Sequence, residues 1–262
     1  MHMNSIKELV GRYDHLKTQR DNWNSHYQEL ADYMLPRKAD VVKSRSKGDK
    51  RMELIFDGTA LQAVDLLSSS LHGLLTSGAA PWFHLDMKDE EIGRDDEVRE
   101  WLQDTSHRML RGFDQSNFGT EVHEMYVDLV VFGTGCMFVE MEGGALRFST
   151  RHISEFYIQE NQFGLVDTVF RSYKSPVRQV VQRFGIENVT DYILKKNQDK
   201  PDEEVEILHV VIPREERDKT KVDNKNMPFA SIYIDMQSKA MLSESGFQEF
   251  PYIVPRYLKA TG

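Results

Sequence analysis

Apolar residues near the start of the chain recur with a helical period. Tyr13, Leu16, Arg20, Trp23, Tyr27, Leu30 and Met34 follow one another in alternating steps of three and four, a 3.5-residue seam. Ile6, Leu9 and Val10 extend it upstream, and Pro36, which lacks a backbone N–H, stops it. Arg20 breaks the seam and the pattern is short, so it predicts an amphipathic helix packed on its own domain rather than a coiled coil. A second helix is expected over 57–76, capped by Asp57 or Thr59 and ended by Gly78. Leu61, Val64, Leu67, Leu71, Leu74 and Leu75 share one side of it, and Ala60, Ala63, Ser68, Ser69 and Ser70 permit close helix approach. Trp82-Phe83-His84-Leu85-Asp86, after Pro81, reads as a short strand. Helices follow over 95–110 and 120–132, with Trp101, Leu102, Met109 and Leu110 on the apolar side of the first and Val122, Tyr126, Leu129 and Val130 on that of the second. Both begin with acids, which suit the positive end of a helix dipole.

The pattern then changes. Residues 136–141, Gly143-Gly144 and 146–149 form a hairpin signal, and 156–158, a turn at 161–164 and 166–173 form another. Ser175-Pro176 reads as a helix entry, with Ser as cap and Pro in the first helical position, and that helix ends at Phe184-Gly185. A brief helix over 190–196 precedes alternating or β-branched runs at 205–212, 230–235 and 240–243, and residues 251–257 read as extended. Segregated helices and strands predict an α+β fold, divided into a helical part, 1–132, and a mostly antiparallel β part, 133–262. Residues 257–262 carry no finishing signal, so the β part is expected to continue into a further C-terminal region.

Composition narrows the classes. The 262 residues are 40% hydrophobic and 29% charged, enough for a proper core and too apolar for a disordered chain. The single cysteine, Cys136, excludes a disulfide framework and a cysteine zinc site, and fits a reducing compartment. No run of about 18 apolar residues predicts a membrane span, and residues 1–6 lack the apolar core of a signal peptide. A net charge of −9 is the opposite of a polycation that coats nucleic acid. The charge is unevenly placed: residues 37–51 carry seven Lys/Arg against two acids, and residues 86–104 carry nine acids against three bases. Such blocks are solvated faces or places where one subunit meets another of opposite sign.

The search for catalytic chemistry finds little. There is no phosphate-binding loop of the Gly-x-x-x-x-Gly-Lys-Ser/Thr type. Gly133-Thr134-Gly135-Cys136 opens like a dinucleotide fingerprint but lacks the third glycine and precedes a strand, so a helix C-cap turn is the better reading. His123-Glu124 has no second histidine at metal-ligand spacing, and His209, between apolar neighbours, reads as a hydrogen-bonded core residue. Cys136, flanked by Phe132, Met137 and Phe138, reads as buried rather than nucleophilic. Ser44-Arg45-Ser46-Lys47 matches the Ser-x-x-Lys spacing of some acyl enzymes by chance, in a charged loop instead of at a helix start. The pairs Glu90-Glu91 and Asp95-Asp96 are read as solvated helix-start acids. No catalytic, cofactor or metal residue is assigned, and the expected class is not an enzyme.

An ordered set of segments carries a resemblance: Phe56-Asp57-Gly58-Thr59-Ala60; 74–85, with Pro81, Trp82 and Phe83; Ser116-Asn117-Phe118, followed by Tyr126 and Asp128; 132–135, with Gly133 and Gly135; 163–171, with Gly164; 178–185, with Arg178 and Gln179; and 249–257, with Pro251 and Arg256. Along nearly its whole length the chain resembles the portal, or head-to-tail connecting, proteins of short-tailed bacteriophages. The resemblance implies a wing-like α+β region of a ring-forming subunit, structural roles for those named residues, and no cofactor. It implies self-assembly into a ring, usually of twelve copies, at a capsid vertex in the virion, assembled in the bacterial host cytoplasm. Double-stranded DNA would pass through its channel, bound weakly and non-specifically. The packaging motor (terminase), tail adaptors and capsid or scaffold proteins would be its partners, with no membrane involved. Family members are longer, and the part after 257 would hold the stem, clip and crown. Lys43, Arg45, Lys47, Lys50 and Arg51 are candidate subunit or phosphate contacts, and the two oppositely charged blocks are candidates for setting the register of neighbours. An intracellular hydrolase and a non-specific DNA-binding module are the competing readings.

Overall fold

The structure, a computed structural model, describes residues 6–43, 45–46, 48–221 and 223–258; Ser44, Lys47 and the first five residues fall outside them. Among the described residues there are seven α-helices and eight strands. The helices are α1 (Ile6–Met34), α2 (Thr59–Leu75), α3 (Glu90–Gly93), α4 (Asp96–Asp114), α5 (Phe118–Phe132), α6 (Val177–Phe184) and α7 (Asp191–Asp199). The strands are β1 (Met137–Glu142), β2 (Ala145–Thr150), β3 (Phe156–Glu160), β4 (Val166–Pro176), β5 (Glu204–Pro213), β6 (Phe229–Asp235), β7 (Ala240–Phe247) and β8 (Tyr252–Ile253). Helices dominate the first half and antiparallel sheets the second, so the fold is α+β.

Contacts gather the chain into two compact units that are discontinuous in sequence: residues 1–25 with 154–251, and residues 26–153 with 252–262. The first unit is a five-stranded antiparallel sheet of order β3-β4-β5-β6-β7. Leu9, Val10, Tyr13 and Leu16 of α1 pack on one face of it, against Phe170, Leu208, Val210, Ile212, Ile232 and Ile234. Val177 and Val180 of α6 and Ile193 of α7 pack with Val205, Ile207 and Tyr233 in a second cluster. The central strand β5 therefore contributes to both clusters, which is why its sequence runs nearly continuously apolar instead of alternating. Arg20, the residue that interrupts the predicted seam, lies 3.8 Å over the Tyr157 ring and donates to the Phe156 carbonyl at 2.5 Å.

The second unit has α2, α4 and α5 with a small sheet of order β2-β1-β8. Its core joins Phe118, Val122, Met125 and Tyr126 of α5 to Met137 and Phe148 of the sheet. Several local expectations are corrected here. The expected strand at 82–86 is irregular backbone; Leu85 N–H is satisfied by the Ser106 hydroxyl at 2.9 Å instead of by a ladder. Helix α2 stops at Leu75, with Thr76 N–H bonded to the His72 carbonyl, before Gly78 is reached. Its buried line is Val64 and Ser68, with Leu71 partly buried beside it, whereas Leu66, Leu67, Leu74 and Leu75 are exposed. In the first unit, Ser175 stays in β4 opposite Val205, so Pro176 occupies the cap position of α6 and no side chain caps it.

Candidate functional site

The residues singled out from the sequence in the second unit converge on two places. The first is an aromatic cluster. The Trp82 ring stacks on Phe118 with centroids 5.7 Å apart, and Phe113 and Phe148 lie 4.8 and 5.1 Å from Phe118. Phe83 sits edge-on to Trp82 at 4.8 Å. Offset and edge-on aromatic pairs add to simple burial, so Pro81-Trp82-Phe83 acts as an anchor for a segment without regular structure. Asn117 ties this cluster to the sheet: its amide donates to the Phe148 carbonyl at 2.8 Å and accepts from Phe148 N–H at 2.9 Å. One side chain thus does the work of a neighbouring strand. Ser116 accepts from Phe118 N–H at 3.1 Å at the start of α5. Glu121, five residues on, accepts from Thr150 N–H at 2.6 Å.

The second place is the turn after α5. Gly133 is left-handed (φ 71°) and caps the helix, as the C-cap reading of Gly133-Thr134-Gly135 requires. A side chain at Gly135 would force Met125 to shift, since a Cβ there would stand 2.7 Å from its side chain and 3.1 Å from its carbonyl oxygen. The turn holds the 252–258 segment: Gly135 N–H donates to the Pro255 carbonyl, Tyr257 N–H to the Gly133 carbonyl, and Thr134 bridges Arg256. Pro251, just before, is buried.

The remaining motif residues are local. Gly164 has φ 72° in the β3–β4 turn, where Asn161 accepts from Phe163 and Leu165 N–H. Asp57 accepts from Thr59 N–H and hydroxyl in front of α2. Arg178 pairs with Asp202 at 2.8 Å, and Gln179 lies one turn past Ser175.

The basic stretch is built inward. Gln28 of α1 accepts from the backbone N–H groups of Val41, Val42 and Lys43 and donates to Asp32 and the Ala39 carbonyl. Asp32, only 6% exposed, takes Lys43 and Arg45, both at 2.9 Å. Burial alone would raise the Asp32 pKa, but the bonds from Arg45, Lys43 and Gln28 hold it below the ordinary carboxylate range. Asp40 takes Arg51 at 2.6 Å and Arg45 at 3.4 Å, and the Arg51 bond lowers its pKa. Lys38 reaches α5, 2.9 Å from Asp128 and 2.7 Å from Glu124. Burial opposes the Lys38 charge, but the two acids hold its pKa above the ordinary lysine range. Burial pushes Asp128 up to about 6 against the pull of Lys38. Of the candidate contacts, Lys43, Arg45 and Arg51 therefore have internal partners, Lys50 is exposed, and Lys47 lies outside the described residues. Sequence reasoning missed Gln28 and Asp32, which look like ordinary polar helix positions, and gave Asp128 no role beyond its place in the order of motifs; the one available signal was a surplus of cations over the two acids of the stretch.

Among the described residues weighed for catalysis no catalytic constellation assembles; Ser44 and Lys47 lie outside them. Cys136 is fully buried. His209 is 1% exposed, stacked on Tyr233 at 4.1 Å and bonded to the Ser231 hydroxyl at 2.9 Å, a core role. Among the described residues no group of three or more His, Cys, Asp or Glu could hold a metal ion, and no helix is long and apolar enough to cross a membrane.

The sequence as a whole decides the family. Residues 6–262 match the family described as bacteriophage head to tail connecting protein. The chain belongs to that family. It is 34% identical over 256 residues to a portal protein of Salmonella phage epsilon15, covering 96% of this chain and 46% of the relative. It is 31% identical over 261 residues to a probable portal protein of Bordetella phage BPP-1, covering 98% and 47%. The chain thus spans about half the length of these connector relatives. Neither the family nor these relatives is described as a hydrolase or a DNA-binding module.

Proposed function

We propose that these residues form the wing-like part of a portal subunit, a structural connector and not an enzyme, at a capsid vertex of a short-tailed phage. The observation that carries this reading is the match of residues 6–262 to the connector family, with portal proteins as the named relatives. In this reading identical copies close into a ring, with twelve as the expected number, which requires a heterologous interface on each copy. Double-stranded DNA passes through the channel during packaging and ejection. The packaging motor, tail adaptors and capsid or scaffold proteins dock on the ring, which assembles in the host cytoplasm and ends in the virion. The stem, clip and crown belong to the half of the relatives' length that the match leaves uncovered. We read Asp57, Pro81, Trp82, Phe83, Ser116, Asn117, Phe118, Gly133, Gly135, Gly164, Arg178, Gln179, Pro251 and Arg256 as structural positions of this wing.

The internal pairing of the basic stretch supports weak contact with DNA. Non-specific affinity comes mainly from cations that neutralise phosphates. Lys43, Arg45 and Arg51 already face carboxylates, so contact with a phosphate or a neighbouring copy falls first to the exposed Arg37 and Lys50. The deciding experiment is negative-stain electron microscopy, with particle mass, of protein extended to the length of the relatives. Closed rings with a central channel are expected and give the copy number. A uniform monomer at high concentration would overturn the reading.

A further inference from the structure

Helix α2 turns a leucine face to solvent. Ala63, Leu66, Leu67, Ser70 and Leu74 recur at helical spacing on the side turned away from Val64 and Ser68. Leu66 and Leu74 are 72% and 83% exposed, and Leu67 is half-exposed. No charged side chain stands among them; Asp65, the only acid of α2, lies on the other side. The outer side of α4 is built differently, with Arg99, Glu100 and Arg108 exposed. Ser70 stands one turn from Leu66, Leu67 and Leu74, so the face has a dip where a larger side chain is missing. The Ser70 hydroxyl donates to the Leu66 carbonyl at 2.7 Å, which ties up its proton within the helix.

A knob of the matching kind stands in the first unit. The turn between β3 and β4 presents Phe163 and Leu165, 78% and 65% exposed, on either side of Gly164. Asn161 stiffens it. Its side chain accepts from Phe163 and Leu165 N–H at 2.9 and 3.1 Å, its own N–H donates to the Leu165 carbonyl at 2.8 Å, and its carbonyl accepts from Gly164 N–H at 2.9 Å. Residues 161–166 carry no charge. Apolar side chains held out by a pre-organised turn lose little freedom on docking.

We propose that the β3–β4 tip of one copy docks on the leucine face of α2 in the next copy, with Phe163 entering the dip over Ser70. The contact rests on the ring reading: a ring needs two different surfaces on every copy, and a convex tip and a dented face are such a pair. Both are uncharged, so docking strands no ion. The area fits the same setting. Two side chains cover on the order of 300 Å², well under the roughly 800 Å² per partner of a stable complex. The contact therefore does not hold a lone dimer, and serves where closure makes every copy use it twice. A lipid surface would call for a basic rim, and α2 has no Lys or Arg.

The test is cross-linking in co-assembled particles of protein extended to the length of the relatives. One chain carries Gln162→Cys, beside the tip, and the other Ala63→Cys, on the face. Both positions are exposed, and the native Cys136 is fully buried. A short bismaleimide should join the two chains into a mixed covalent dimer, and neither chain alone should cross-link to itself. Ser70→Phe fills the dip at an exposed position and should lower the yield at least fivefold, with circular dichroism confirming that the variant folds. Three results would overturn the contact: rings without the mixed dimer, a yield indifferent to Ser70→Phe, or either chain cross-linking to itself as readily. The first of these leaves the portal reading standing. A mixed dimer from protein that closes no rings would keep the contact and sink the ring, and the absence of both would sink both.

Discussion

Two charged stretches of the second unit look alike in sequence and behave oppositely in the fold. The basic one, 37–51, is drawn inward, with four of its cations meeting Asp32, Asp40, Asp128 or Glu124. The acidic one, 86–104, stays at the surface. Its acids cap helix starts, as Asp89 and Asp95 do for α3 and α4, or make one-turn pairs such as Arg94–Glu90 and Arg108–Asp104. The difference lies in geometry. A loop whose regular structure is limited to one 3-10 turn, Pro36–Lys38, must have its backbone and charges satisfied mainly by elements already in place, here α1 and α5. Acids on a helix are satisfied by that helix and by water. The notion that the two blocks pair across neighbouring copies therefore loses most of its basic partner, and the exposed acids become the surface in need of cations.

The sharpest way to break the comparison is Asp32→Ala. It strips one buried carboxylate from Lys43, Arg45 and Gln28 together, and removing one member of a buried ionic cluster costs about 3 kcal/mol. Urea denaturation should show a loss of that size, and hydrogen exchange should speed up at Val41, Val42 and Lys43. A loss under about 0.5 kcal/mol, the scale of a surface charge, would mean that the loop is not held from below. Asn117→Ala comes next. It leaves Phe148 N–H and C=O without partners, at about 2 kcal/mol; Asn117→Asp, which keeps only the acceptor, should recover part of that.

Acid titration then separates the two kinds of carboxylate. The folded pKa of Asp128, about 6, lies above its ordinary value of 3.8, so its contribution favours the fold at low pH and is lost as pH rises through 6. Lowering pH from 7 to 5 should therefore raise stability by about 1 kcal/mol, and Asp128→Asn should flatten that rise. Asp32 and Asp40 shift the other way, so their stabilisation persists to acid pH and fades only below the ordinary carboxylate range. Stability that falls steadily from pH 7 to 5 in the wild type would contradict the burial of Asp128.

What was legible from the sequence follows the same division. Periodic elements declared themselves: the 3.5-residue seam gave α1, alternation with glycine turns gave both hairpins, and Gly133 was readable as a cap because only a left-handed residue ends a helix there so easily. The family was legible because short motifs kept their order. The depth of α2 was not. Six leucines and valines on one side predicted a buried face, but only Val64 of those six is fully buried, with Leu61 and Leu71 partly so, because Ser68 rather than Leu67 sits on the buried line. The strand expected at 82–86 was wrong because aromatic anchoring, which has no period, imitates a strand's composition. The inward turn of the basic loop was invisible because its partners, Asp40 apart, lie 11 to 90 residues away, on helices whose polar positions look solvated.

The smallest expected effect completes the comparison from the acidic side. Asp95→Ala removes the side chain that accepts from Glu97 and Val98 N–H, and a lost helix cap costs about 1 kcal/mol. Asp96→Ala, one residue later, removes only an exposed pair with Arg99, which salt and water already weaken. Its effect on the urea midpoint should be indistinguishable from zero at 0.15 M salt. Adjacent acids with the same charge and similar exposure would then differ only in whether they face a backbone donor. If instead both cost the same, and both costs shrank with added salt, the stretch would be acting as a collective field. The acids would then have to be treated as one charged surface, and not as separate caps that happen to share a sign.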